Sequence, residues 1–378
     1  MASAALASTP TPTPTANVLL ARIQWRNGTF IKAMHRDNIG DVYLTRHRDT
    51  DTLRICKFPW DNERSSMKDF RAERRALQHM QQRRFFNDPR RAHVAAMLEI
   101  DRISVSPGGG DASGGAKRNA AKKINARAFE TDALFLEFYA GNDLFKTCLD
   151  RGDRLTMTQI REIVRQLVAA LGFIHDAGVM HLDLKAENVC FATPWRPRDT
   201  RKPAAAASAA PASAAPGGVP RVVLIDFGLS EMTAEPTDEK IGTDVCLAPE
   251  VVSGRMHTPA IDMWCLGILM YEIAMVNHDA VEDYDGEITS YHDLDIKSRW
   301  LRMALGADGV DLLKSLLQQS PRNRPTCAQV AAHPYLSRNV HTYASDSDSD
   351  DDDDTSDNDT SDEYSRGRGS GSDDDDSD

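Results

Sequence analysis

The stretch His181-Leu182-Asp183-Leu184-Lys185-Ala186-Glu187-Asn188 sets an acid, a cation and an amide close together between two segments of regular period. Before it, TMTQIREIVRQLVAALGFIHDAG (156–178) repeats its apolar residues with the period of an amphipathic helix. After it come a strand-like run, NVCFA (188–192), a low-complexity Ala/Pro/Arg stretch (196–220), and a second strand-like run that ends in Asp226-Phe227-Gly228. Ala248-Pro249-Glu250 follows, and then IDMWCLGILMYEIAMV (261–276) and GVDLLKSLLQQS (309–320), both helical in period. Working back toward the N-terminus, β-branched and aromatic runs dominate 17–138, interrupted by one amphipathic helix near 67–80. The pattern predicts an α+β chain with a sheet-rich first lobe and a helix-rich second lobe.

Composition bounds the rest. The chain has 378 residues, 41% of them apolar, enough for one large two-lobed core. Its six cysteines are scattered without a Cys-x-x-Cys pair, which argues against a zinc site or a disulfide framework and suits a reducing, intracellular setting, cytoplasmic or nuclear. The longest apolar run, 261–276, is interrupted by Asp262 and Glu272 and is too short and too charged to span a bilayer, so no membrane partner is expected. The net charge of -12 is misleading, because residues 345–378 hold sixteen acidic and two basic residues, which leaves the remaining chain close to neutral. Four segments lack the means to build a core: an N-terminal arm (1–16), a Gly-rich then basic insertion (106–123), the stretch 196–220, and an acidic tail (338–378). The arm and tail are expected to be disordered. The tail suits basic partners, and the basic cluster Lys117 to Arg127 reads as a solvated loop rather than a nucleic-acid site.

The order of HLDLKAEN, Asp-Phe-Gly and Ala-Pro-Glu resembles the eukaryotic-type protein kinase superfamily, over roughly residues 17–337. The resemblance implies a bilobal protein-kinase fold, with an N-lobe at 17–138 and a C-lobe at 139–337, and serine/threonine kinase activity using ATP and Mg²⁺ on protein substrates. Phosphoryl transfer asks the protein for positioning and charge more than covalent chemistry. By resemblance Asp183 is the base, Lys185 sits near the γ-phosphate, and Asn188 and Asp226 hold magnesium through oxygen, the donor that this hard cation prefers. Lys57, in the strand-like TLRICKF (52–58), would hold the nucleotide phosphates, oriented by Glu73. Gly40, Val42, Ile55, Leu136, Glu137, Phe138, Asp143 and Cys190 would form the nucleotide pocket, with Leu136 at its gate and Glu137 and Phe138 lending backbone groups to adenine. Gly242-Thr243 resembles a serine/threonine-type substrate loop, and Arg324 is the expected partner of Glu250.

Two departures from the family pattern carry weight. With Val42 fifteen residues before Lys57, the glycine slots of the phosphate loop fall on His35, Asp37 and Gly40, so one glycine remains. An aspartate about 4 Å from a phosphate would cost on the order of 4 kcal/mol at an effective dielectric of about 20, so either Asp37 turns away or nucleotide binding is weak. Leu182 stands where relatives carry an arginine that binds an activation-loop phosphate, which implies that phosphorylation of Thr233 or Thr237 is not required. The damaged loop and the bulk of Ile55 leave one alternative in play, a pseudokinase that uses the fold as a scaffold.

Overall fold

The structure is a computed structural model, and it describes residues 23–36, 41–59, 64–106, 128–149, 155–197, 218–243, 247–275, 294 and 296–337. The N-terminal arm, Asp37, Gly40, most of both insertions, the cluster 117–127, Cys246, the acidic stretch 277–287 and the tail lie outside the described residues.

Six strands form the first lobe: β1 (Ile23–Trp25), β2 (Gly28–Arg36), β3 (Asp41–His47), β4 (Leu53–Lys57), β5 (Met97–Val105) and β6 (Phe129–Glu137). They close into an antiparallel barrel in the order β1-β2-β3-β4-β6-β5. Side chains on a strand alternate between its faces, and β6 uses both. Ala133 and Phe135 point into the barrel with Trp25, Tyr43 and Phe58, whereas Leu134 and Leu136 join the core that continues beneath the sheet. Trp25 stacks on Phe135 at 4.0 Å between ring centroids and donates its indole N–H to Asp101, so the polar end of this buried ring is satisfied. Between β4 and β5 lies α1 (Arg64–Met80). It buries Phe70, Glu73, Ala76, Leu77 and Met80, the helical spacing of one inward face.

The second lobe is built on α2 (Met157–Asp176) and α4 (Ala260–Met275), with the short α3 (Pro249–Val252), α5 (Arg299–Leu316), α6 (Cys327–Ala332) and α7 (Pro334–Ser337) around them. Helix α2 starts at a reciprocal cap, in which the Thr156 hydroxyl accepts from Gln159 N and the Gln159 side chain accepts from Thr156 N. Helix α4 is apolar on every side and is buried along almost its whole length, as a helix at the centre of a lobe must be. Gly306, at φ 71°, bends α5. The expected sheet-rich lobe, single main helix and helical lobe are all present. Among the described residues no helix is long and apolar enough to cross a membrane.

Candidate active site

The loop between β7 (Val179–Met180) and β8 (Val189–Phe191) carries Asp183, Lys185 and Asn188. Its shape is strained, with Leu182 at φ 64°, a conformation that costs a side-chain-bearing residue roughly 1–2 kcal/mol. What holds it is Asp262, fully buried near the start of α4. One carboxylate oxygen accepts from His181 N (2.9 Å) and from the His175 ring (2.8 Å), and the other accepts from Leu182 N (2.8 Å). Burial alone would lower the His175 pKa, but its hydrogen bonds to Asp262 and Cys327 outweigh that and raise it to about 10. Burial works against the Asp262 charge as well, yet His175 and the loop amides hold this carboxyl below its usual range. A charge inside an apolar helix has to be paired in this way. The sequence carried the signal, since Asp262 interrupts the longest apolar run, but nothing in that run says which backbone amides it serves.

With the loop fixed, its polar groups converge. Asn188 donates its amide nitrogen to Asp183 O (2.8 Å) and Asp183 Oδ2 (3.0 Å). Lys185 Nζ lies 3.0 Å from Asp183 Oδ2 and donates to Thr243 Oγ1 (2.8 Å), and the Thr243 hydroxyl donates to Asp183 Oδ1 (2.7 Å). The expected substrate-loop threonine therefore meets the expected base. Asp183 is 6% exposed and Asn188 5%, so both are oriented by protein contacts rather than by water.

Asp226 follows β9 (Val222–Leu224), which pairs with β8, so Ile225 N bonds Asn188 O (2.9 Å) and brings the second acidic residue beside the loop. His181 Nε2 donates to Ile225 O (3.0 Å) and its ring packs edge-on against Phe227. Asp226, like Leu182, has positive φ (63°). Its carboxylate accepts from Lys57 Nζ (3.1 Å) and Gly228 N (3.3 Å). Burial would push the Asp226 pKa up, but Lys57 and the Gly228 amide prevail and lower it. Lys57 also donates to both Glu73 oxygens, at 3.1 and 3.2 Å. Glu73 is fully buried, and a lone buried charge there would be costly. Glu73, Lys57 and Asp226 thus form one set of contacts and Asn188, Asp183 and Lys185 a second, joined through the backbone of Ile225.

The other predicted residues surround these contacts. Val42 pairs with Lys57 across β3 and β4, Ile55 pairs with Leu136 across β4 and β6, and Val42 and Leu136 are buried. The Glu137 amide already donates to Ala96 O (2.9 Å), and its carboxylate accepts from Tyr139 OH (3.3 Å). Phe138 is half-buried. Asp143 bridges to Cys190 through the backbone, and its carboxylate accepts from the amide and the ammonium of Lys146. Burial and then the Asp143 charge push the Cys190 thiol up to about 12, so it serves as an apolar surface rather than a nucleophile.

Sequence reasoning passed over one further carboxylate. Glu272 is half-buried in α4, and burial together with the exposed Glu187 carboxylate pushes it up to about 7. At the far side of the lobe, Arg324 forms the expected buried fork on Glu250, at 2.6 and 2.7 Å.

Comparison with known proteins agrees with this geometry. The family model described as "Protein kinase domain" matches residues 124–336. Calcium/calmodulin-dependent protein kinase type IV of Mus musculus is 30% identical over 220 residues, covering 55% of this chain and 41% of that protein. Calcium/calmodulin-dependent protein kinase type 1B of Homo sapiens is 26% identical over 210 residues, covering 54% of each. Serine/threonine-protein kinase 17A of Oryctolagus cuniculus is 27% identical over 215 residues, covering 54% of this chain and 48% of that protein. The chain spans about half the length of the curated relatives it matches. The family match begins after Lys57 and Glu73, so these two are tied to it by their contacts with Asp226 and with each other. From this match and the contacts around it, the chain belongs to the protein kinase family.

Proposed function

We propose that this protein is a serine/threonine protein kinase that moves the γ-phosphoryl group of ATP to a serine or threonine hydroxyl of a protein. The observation that carries the reading is two sets of contacts, Glu73–Lys57–Asp226 and Asn188–Asp183–Lys185–Thr243, joined by the backbone bond from Ile225 N to Asn188 O. In this reading Asp183 accepts from the attacking hydroxyl and aims it. Lys185, already paired with that carboxylate, places a positive charge beside the transferring group, and Thr243 fixes the orientation of both. Lys57, aligned by Glu73, holds the nucleotide phosphates.

The donor set fits magnesium. Asn188 uses its amide nitrogen on Asp183, which leaves the amide oxygen as its ligand atom, and Asp226 supplies a carboxylate held charged by Lys57. Both are hard oxygen donors, and phosphate oxygens and water would complete the shell. When bound, the ion would neutralise phosphate charge. Val42, Ile55, Leu136, Phe138 and Cys190 would enclose the base, the Glu137 carbonyl would accept from it, and Asp143 would lie near the ribose. Gly40 keeps its proposed place in the phosphate loop.

Glu187 adds to the upward shift of Glu272, and a cation near the two carboxylates would relieve it, so a peptide with basic residues is the substrate to try first. A reducing, intracellular setting suits the five described cysteines, all free thiols. The test is transfer of label from γ-labelled ATP to a basic peptide, wild type against Asp183→Asn. The variant is expected to lose about 10²–10⁴-fold in rate, and equal background signals from the two proteins would refute the activity.

A further inference from the structure

The segment after Asp-Phe-Gly is folded rather than draped over the surface, and a histidine outside the site accounts for this. Strand β10 (Glu231–Met232) pairs with β7 directly before the catalytic loop. His257, in the turn between α3 and α4, is 2% exposed and reaches back into this segment. Its Nδ1 bonds Glu231 Oε2 (3.0 Å), its Nε2 bonds Glu239 O (2.9 Å), and its backbone N–H donates to Thr237 O (2.8 Å). The ring therefore spans a side-chain oxygen and a main-chain carbonyl of the same segment, one from each nitrogen. The same Glu231 carboxylate accepts from Thr237 N (3.0 Å) and from the Thr237 hydroxyl (2.5 Å). Residues 231–239 are thus wound around one buried imidazole.

This segment also reaches the helix that orients Lys57. Glu235 pairs with Arg75 (2.8 Å) and Glu239 with Lys68, both on α1 next to Glu73. These pairs are more than half exposed and contribute little by themselves. They matter only if their acidic partners are held still, which is the effect of His257.

We infer that His257 and Glu231 are positioning residues that hold the activation segment, and through it α1 and Glu73, in the working arrangement, in place of the phosphate that Leu182 cannot bind. The inference rests on the kinase reading. Its test uses the full chain treated with phosphatase, with Asp183→Asn as the blank.

Folded His257→Leu is expected to lose about tenfold or more in kcat, with the KM for ATP moved less than about threefold, since a buried hydrogen bond to Glu231 is removed while Lys57 keeps its contact with Asp226. His257→Asn, which restores the donor toward Glu231, recovers much of the loss, and Glu231→Gln matches His257→Leu without multiplying it. Amide exchange quickens across 231–239 and α1 but not in α2. If His257→Leu does not fold, Glu231→Gln carries the same expectations. Unchanged kcat in either folded variant, or a wild type that needs phosphate at Thr233 or Thr237, overturns the clamp. If the wild type shows no transfer above the blank, the kinase reading falls, and the exchange pattern decides the clamp alone: local quickening supports it, and a uniform change refutes it.

Discussion

A half-buried carboxylate near another carboxylate is held in the folded state at a cost, and Glu272 shows the sign of it. Its pKa is raised from 4.5 to about 7, so the folded protein binds a proton there that the unfolded chain releases. Stability through this group is therefore highest below about pH 4.5, falls as pH rises to about 7, and stays low above that. Glu272→Gln should melt higher than wild type at pH 8, with the gap closing toward pH 5, and a gap independent of pH would show that Glu272 is not strained. The same variant should weaken the preference for basic peptides at pH 8 more than at pH 6. At this scale the sequence was legible where spacing defines a partner. Lys57 and Glu73, and Glu250 and Arg324, were paired by position and meet in space. It was not legible for Glu272 or His257, because the groups that give them meaning lie in segments no local pattern connects.

At the scale of elements, the loop that presents Asp183 depends on α4 beneath it. Removing the Asp262 charge takes away the group that keeps His175 protonated and the charged acceptor of two loop amides, a change worth about 1.5–3 kcal/mol. Asp262→Asn should lower the melting temperature accordingly and reduce kcat more than the KM for ATP. The pH profile gives a second check. His175 is raised from 6.5 to about 10, so the stability it lends is complete below about pH 6.5 and is lost as pH rises through about 10. Melting temperature should decline over that alkaline window in wild type, and the decline should be much shallower in Asp262→Asn; parallel curves would reject the pairing as its cause. The periods of α1, α2 and α4 were readable because apolar faces repeat locally. Closure of the barrel was not, since β1 meets β5 across residues far apart in the chain.

Across the whole molecule, Lys57 and Asp226 tie the two lobes together at the cleft, and a nucleotide would replace and reinforce that contact. Ligand that binds only the folded state at about 100 times its Kd adds about 2.7 kcal/mol, so saturating MgATP should raise the melting temperature by several degrees. The proposed phosphate loop has one glycine in its three glycine slots, which would move the burden of holding phosphate onto Lys57. Lys57→Met should therefore erase most of the shift at the same MgATP concentration, more completely than in a kinase with an intact loop, because no second set of contacts compensates. Glu73→Gln should erase less, since Lys57 would keep its charge and its contact with Asp226. Omitting magnesium should reduce the wild-type shift but change little in Lys57→Met. A full shift in Lys57→Met would place the nucleotide elsewhere, and the contacts from Glu73 to Asp183 would then be a structural tie between lobes rather than a site.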